Sequence, residues 1–510
     1  MRDQVTLVDI AAVLAVAQDH AFGQPVGSQL RATALGQRLA MAAGADPAQR
    51  AATWWSGALR FLGCTGHAYD MAVVFGDEIE VRAQAARADF ANPLEVMRLM
   101  VSFAGPGQAG LGRLRSVLSV LAGGRKAAEF NFRTACEVAD AFAARLGLDE
   151  TVRAALATSF ERWNGRGMPA GRQGTTIPRP MRIAQLAHDL EVLARIEGVG
   201  RACEIISSRR GRAYDPQLAD VAVAGAVEWW AELEPADPWD EALALAPMSA
   251  PLDDGAIEAA ILVLADFADL KSPWLAGHSR GVAGLARRAC GDAAYAPALV
   301  HDLGRVAVSN AIWDKPGPLT RDERDRAEAH TLVTDQLLRR LPRRLASLAE
   351  TASAAHERLD GSGYHRRSGG RTLGQIAQVV AAADCYHAMI SDRPHREALA
   401  AERAAVELRA MSAAGRLDSE AVERVLAAAG HRRAARPPLP AGLTGREVDV
   451  LRLLALGLTT RQVAERLVIS AKTADHHVQH IYTKIGVSTR GAATLFAVEH
   501  GILPATSDRM

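Results

Sequence analysis

Histidine and aspartate stand side by side at His301-Asp302, directly behind the apolar run Ala298-Leu299-Val300. Neighbouring side chains on a helix point about 100° apart, so amphipathicity alone does not put both on one face. A shared metal ion gives them a common target, because imidazole nitrogen and carboxylate oxygen both ligate first-row divalent cations. Taken alone, the pair is better read as a helix end with a capping aspartate and a surface histidine.

Other residues shift that balance. His278, His330, His356 and Asp384 each interrupt apolar, helix-like sequence; Asp384 sits inside Ile376–Ile390. A lone carboxylate on such a helix is costly to bury unless it is paired or ligated. One cation explains several such residues more simply than several separate accidents. The chain is therefore constrained to close around positions spread over more than a hundred residues.

The ordered set His278, His301-Asp302, Gly304, Lys315-Pro316-Gly317, Leu319-Thr320, His330, His356-Glu357, Asp360-Gly361, Gly363-Tyr364 and Asp384 resembles the HD-GYP branch of the HD-domain metal-dependent phosphohydrolases. The resemblance covers about Asp253–Gly430. It implies an all-helical domain holding two divalent ions, Fe or Mn, and hydrolysis of a phosphodiester, in many members cyclic di-GMP. By position it makes His278, His301, Asp302, His330, His356 and Asp384 ligands. Asp302 and Arg305 become the catalytic pair, with Arg305, Asp360, Gly363 and Tyr364 on the substrate. The implied chemistry is metal-assisted attack of water on phosphorus. Four positions depart from the family pattern. Ala355 replaces the first of two histidines before the glutamate, Trp274 a glutamate, Thr331 a proline and His365 the last letter of the GYP signature.

The first half reads as a degraded copy. Glu161-Arg162-Trp163-Asn164-Gly165-Arg166-Gly167 matches Glu357-Arg358-Leu359-Asp360-Gly361-Ser362-Gly363, and the same register puts His188 opposite Asp384. Gly211-Arg212 resembles Gly415-Arg416 further on. Ser159 and Phe160 stand where the paired histidines belong, so no complete metal site is expected there. A sensor of a nucleotide or partner and a purely structural repeat remain equal alternatives.

The last sixty residues carry clear helix punctuation. Thr444/Glu447 and Thr459/Gln462 form capping boxes, Leu443 and Val448 a hydrophobic staple, and Gly457 a stop. Val468-Ile469 makes a tight turn, Ser470 caps Ala471–Ile485, and Ser488 is expected to cap the last helix, Thr489–His500. Leu443-Thr444, Arg446-Glu447, Val450-Leu451, Val463-Ala464, Ile469-Ser470, Lys472-Thr473, His477, Lys484-Ile485 and Arg490 resemble the LuxR/NarL-type helix-turn-helix. That resemblance implies double-stranded DNA as partner, read by the second helix in the major groove. Lys472 and Thr473 are then phosphate contacts; Asp475, His476 and Gln479 face bases, and Lys484 is a phosphate or packing candidate. Seven Lys/Arg against five Asp/Glu over Leu443–Ala505 leave +2, too weak a charge for tight monomeric binding, so a homodimer on paired half-sites is expected.

The sequence thus predicts an all-α chain. Residues 1–232 form the degenerate HD-GYP-like domain, 233–252 an acidic, proline-rich linker with Trp229, Trp230 and Trp239 between lobes, and 253–430 the phosphohydrolase-like domain. Residues 431–442 form an Arg/Pro linker and 443–505 the four-helix DNA-binding domain. A net charge of +1 and 49% hydrophobic residues fit large globular cores. Five scattered cysteines without a CxxC read as buried thiols of a cytoplasmic protein, and no apolar stretch is long enough for a membrane. The expected function is a transcription regulator with a phosphodiesterase domain. Its rivals are a regulator that binds a nucleotide without turnover and a nucleotidase unrelated to cyclic dinucleotides.

Overall fold

The computed structural model describes residues 3–105, 110–430 and 439–503, so most of the Arg/Pro linker (431–438) lies outside the described residues. The chain divides between Asp253 and Asp254 into two units. Helices form every regular element among the described residues, with only isolated β-bridges beside them.

In the N-terminal unit, Leu7–Ala21 starts at a Thr6/Asp9 capping box and is buried on nearly every side. A helix apolar all round belongs at the centre of a core. Ser28–Ala42 and Pro47–Leu59 pack against it, Arg179–Glu197 packs on those two, and Gly110–Arg145 lies against the 3-10 helix Leu62–His67. Trp230 belongs to this unit's own core, Trp239 is buried, and Trp54 donates through Nε1 to Ala242 O at 2.8 Å. The stretch 233–252 is folded onto the unit: Pro238–Ala244 is a helix and Leu252 N donates to Val5 O.

In the C-terminal unit, His278–Cys290, Gln375–Met389 and Ser419–Ala428 pack together, while a 3-10 turn, Leu303–Ala307, lies against His330–Arg339. The two units repeat several close contacts. Asp19 accepts from Gly27 N and Gln29 N, as Asp269 accepts from Ser279 N. Glu161 accepts from Ala170 N, as Glu357 accepts from Arg366 N. Gly63 faces the Ala135 carbonyl, as Gly304 faces that of His330. Two of the five thiols, Cys64 and Cys136, are buried; Cys203, Cys290 and Cys385 are partly exposed.

The C-terminal helices follow their punctuation. Both capping boxes form, the helices run Gly445–Ala455, Thr460–Leu467, Ala471–Ile485 and Arg490–Glu499, and Gly457 takes φ +86°. The last cap is Thr489, which accepts from Ala492 N, and Ser488 lies one residue outside it. Glu447 closes its box and takes Lys484 Nζ at 2.7 Å. Burial would raise its carboxyl; Lys484 and Thr444 outweigh burial and hold it at about 2. A carboxyl depressed in the fold adds stability above its unfolded value and loses it as pH falls. Glu447→Gln is expected to cost about 1–2 kcal/mol near neutrality. The gap to wild type should shrink as pH drops from about 4.5 towards 2, read by hydrogen exchange of peptides from 445–485.

Candidate metal centre

Each polar residue of the cluster is delivered by a chain feature. His278 opens its helix behind Gly277, whose left-handed φ of +78° turns the chain. His301 and Asp302 follow the short helix Tyr295–Leu299, and Asp302 leads into the 3-10 turn that carries Arg305. His330 is the first residue of its helix, and Asp384 lies mid-way along Gln375–Met389. All six proposed ligands are buried, with His301 and His330 at 0% exposure. The His301-Asp302 pair is therefore not a surface helix end.

The six residues form two groups sharing Asp302: His278, His301, Asp302 and Asp384, and Asp302, His330 and His356. Asp302 Oδ1 lies 3.2 Å from His330 Nε2 and 3.1 Å from His356 Nε2, while Oδ2 is 3.1 Å from His301 Nε2. Asp384 Oδ1 is 3.2 Å from His278 Nε2, and Oδ2 is 3.6 Å from His356 Nδ1.

The protein fixes the rings from behind. His301 Nδ1 donates to Ala298 O at 2.7 Å and His330 Nδ1 to Ala327 O at 2.6 Å. Both bonds turn an Nε2 lone pair towards Asp302, the usual outer support of a metal-ligating imidazole. Yet His301 Nε2 and His330 Nε2 lie beside Asp302 without hydrogen-bond geometry, and no other group among the described residues takes them. Buried polar atoms left so are rare, and a divalent cation accounts for both. Mixed imidazole and carboxylate donors suit a first-row divalent cation.

Electrostatics agree. Burial drives His278 and His330 down to about 4, so both rings are neutral, the state that ligates a metal. Burial would also lower His301, but Asp302 and Asp384 outweigh it and raise it to about 10: the two carboxylates call for a positive charge at this point, which a cation would supply in place of the proton. Burial would raise Asp302; Arg305 and His301 instead hold its carboxyl well below the carboxylate range.

Arg305 Nε lies 2.7 Å from Asp302 Oδ2, and its guanidinium stacks on Trp313 at 4.7 Å. Tyr364 stacks on His356, with ring centroids 5.2 Å apart. The other two substrate candidates lie elsewhere. Asp360 is exposed and accepts from Ser362 N and Oγ in its own turn. Gly363 lets its loop press on the backbone: a Cβ there would meet Arg358 N at 2.4 Å. Ala355 is buried beside His356 and brings no donor.

Two residues escaped the sequence reading. His387 Nδ1 sits 3.0 Å from His278 Nδ1, and Arg393 Nη2 approaches the same atom at 3.4 Å. His387 lies one helical turn after Asp384, which was its one available signal.

The structure keeps Lys472, Thr473, Asp475, His476 and Gln479 exposed along one helix. Lys484 is spent inside the domain on Glu447 and Gly442 O, and Arg490 on Gly457 O.

Residues 262–421 match the HD domain family, and residues 441–497 match the bacterial regulatory proteins of the luxR family. The 3'3'-cGAMP-specific phosphodiesterase 3 of Vibrio cholerae is 30% identical over 412 residues, covering 78% of this chain and 89% of that one. The chain belongs to the HD-domain phosphodiesterases. A cyclic di-GMP phosphodiesterase of Thermotoga maritima is 35% identical over 155 residues, 30% of this chain and 41% of its own. The crystal structure of a cyclic GMP-AMP-specific phosphodiesterase of V. cholerae superposes on this chain with a TM-score of 0.58. The two are 25% identical, over 84% of this chain and 99% of that one. The protein is thus an HD-domain phosphodiesterase homologue fused to a LuxR-type DNA-binding domain. Among the described residues no helix is long and apolar enough to cross a membrane.

Proposed function

We propose that residues 253–430 hydrolyse a cyclic dinucleotide and that residues 443–505, as a homodimer on paired half-sites, bind promoter DNA in the cytoplasm. The observation that carries the reading is the convergence of four imidazoles and two carboxylates in two adjoining buried groups that share Asp302. His278, His301 and Asp384 would hold one Fe or Mn ion, His330 and His356 the other, with Asp302 between them. Such ions, when bound, polarise the phosphate and the attacking water. Asp302, which belongs to both donor groups, would be shared between them, and Arg305, over the Trp313 ring, would offer its remaining N–H groups to a phosphate oxygen. Tyr364 closes the face of His356 and limits water there.

The test is elemental analysis of the purified chain, followed by hydrolysis assays with 3'3'-cGAMP and cyclic di-GMP. Bound Fe or Mn with release of a linear dinucleotide is expected. A metal-free chain that cleaves neither would sink the proposal. A second reading rests on Ala355: a chain that holds metal and binds the nucleotide without cleaving it would be a sensor.

Gln479→Ala on the recognition helix is expected to weaken specific DNA binding by about 1–3 kcal/mol, measured by fluorescence anisotropy on the cognate operator. The DNA-binding core also packs beside the start of the helix that His278 opens. Pro273 lies against Gly457, Gly277 faces Leu503 and Val498, and His278 follows directly. Stripping the metal is therefore expected to change operator affinity several-fold, by roughly 1 kcal/mol. Identical affinities with and without metal would show the two sites to be uncoupled.

A further inference from the structure

The repeated contacts assign the first copy's counterparts of the metal ligands. Asp19 and Asp269 align Ser28 with His278, and Gly63 and Gly304 align Arg60-Phe61 with His301-Asp302 and Ala135 with His330. The register of the loop then puts Phe160 at His356 and His188 at Asp384. Among the described residues this unit holds no group of three metal-ligating side chains. What occupies the place is a cavity of about 160 Å³.

Its wall is aromatic. Phe61 packs between Phe22 at 4.4 Å and Phe160 at 6.3 Å, and Phe160 meets Phe132 at 4.5 Å. Its charge is unbalanced. Arg60 is 3% exposed and lies over the Phe61 ring at 4.9 Å. Its Nε and Nη1, and Nε of the buried Arg162, make no hydrogen bond among the described residues. Both guanidiniums lean on the one carboxylate of Asp189, at 3.9 Å and 3.3 Å. That carboxylate also accepts from the Tyr214 hydroxyl at 2.9 Å. His67 and His188 add no charge, because burial drives both to about 3. Arg82 is already engaged by the carbonyls of Ala21 and Cys64. The cavity's other carboxyl, Asp19, is taken by Gly27 N and Gln29 N, and burial pushes it well above the usual carboxylate range. Arg60 and Arg162 therefore share one anion and leave about one positive charge buried with its donors idle, which is costly until an anion arrives.

We propose that this cavity binds a small aromatic acid, its carboxylate on Arg60 and Arg162 and its ring among Phe61, Phe132 and Phe160. Size selects the class. Cavities of about 150 Å³ take up a single aromatic ring, whereas a cyclic dinucleotide carries two bases, two sugars and two phosphates. One uncompensated charge matches one carboxylate, and the guanidinium is the group that recognises carboxylates best.

The test is calorimetric titration of the full chain with phenylacetate and indole-3-acetate, with their uncharged amides, octanoate and 3'3'-cGAMP as comparisons. The acids are expected to bind and their amides about ten-fold more weakly or not at all. Arg60→Gln should abolish acid binding. Because that change leaves Asp189 less well paired and can unfold the unit, Ala128→Phe provides a second variant. It fills the cavity from its wall without touching a charge, and should also abolish binding while the metal content of the second copy stays unchanged. Four outcomes overturn the proposal: no acid binds, acid and amide bind alike, octanoate or the dinucleotide binds in preference, or Ala128→Phe binds as wild type does.

Discussion

Asp302→Ala is expected to strip both ions from the purified chain and to abolish phosphodiester hydrolysis. No other residue belongs to both donor groups. Its two oxygens face His301, His330 and His356 at 3.1–3.2 Å, and Arg305 at 2.7 Å. Loss of an outer-shell partner alone costs about 10–100-fold in metal affinity or activity, so loss of a bridging ligand must exceed that range. His387→Ala, which removes only the support behind His278, should fall inside it. Asp302→Ala also leaves the Arg305 guanidinium, 7% exposed, without its carboxylate. Breaking a buried pair from one side costs about 3–5 kcal/mol, so a lowered unfolding midpoint is expected even in the metal-free protein. Metal content by mass spectrometry, hydrolysis rate and thermal unfolding separate these effects. A variant that keeps two ions per chain would show that Asp302 is not the bridge.

How much of this could be read from the chain varies by physical cause. The six candidate ligand positions, which the fold brings together, were legible because each breaks an apolar helix pattern with a group too costly to bury alone. The DNA-binding helices were legible because caps and stops are local chemistry: Thr444, Thr459, Ser470 and Gly457 act on neighbouring backbone. The Ser488 cap missed by one residue because Ser488 and Thr489 are equivalent as caps and only tertiary packing chooses between them. Lys484 was ambiguous because an exposed helix lysine shows its partner only once Glu447 is folded against it. His387 and Arg393 were hidden because their role exists only across space, at His278. Arg60-Phe61 was hidden for a different reason. The run from Gly27 to Arg60 is longer than that from Gly277 to His301, so the ungapped register that matched Phe160 and His188 does not reach it. Only the shared contacts of Gly63 and Gly304 tie the two pairs together.

Those two glycines support the second large effect. Gly304 has no positive φ, so its backbone would accept a side chain; the space would not. A Cβ there would lie 2.0 Å from the His330 carbonyl oxygen and 2.7 Å from Thr334 N, both backbone atoms that cannot turn aside. Gly304 N also donates to Thr334 Oγ1 at 2.9 Å, which pins the 3-10 turn to the helix His330–Arg339. Gly304→Ala must therefore lift the turn off the helix. The turn carries Arg305 and follows Asp302, while the helix carries His330, so the donors of the shared site are drawn apart. Overpacking a tight contact costs about 1–3 kcal/mol, and a backbone clash of this kind belongs at or above the top of that range. Loss of metal from the His330–His356 side should accompany the loss of stability. Gly317→Ala is the control: nothing lies within 4 Å of its Cβ and its φ is not positive, so the change should stay within about 0.5 kcal/mol. Gly63→Ala makes the matching clash with the Ala135 carbonyl at 1.8 Å, and should destabilise the N-terminal unit while leaving the metal content of the second copy intact. If Gly304→Ala matched Gly317→Ala in unfolding midpoint and metal content, the close seat of the turn on the helix would not be what holds Asp302 and His330 together.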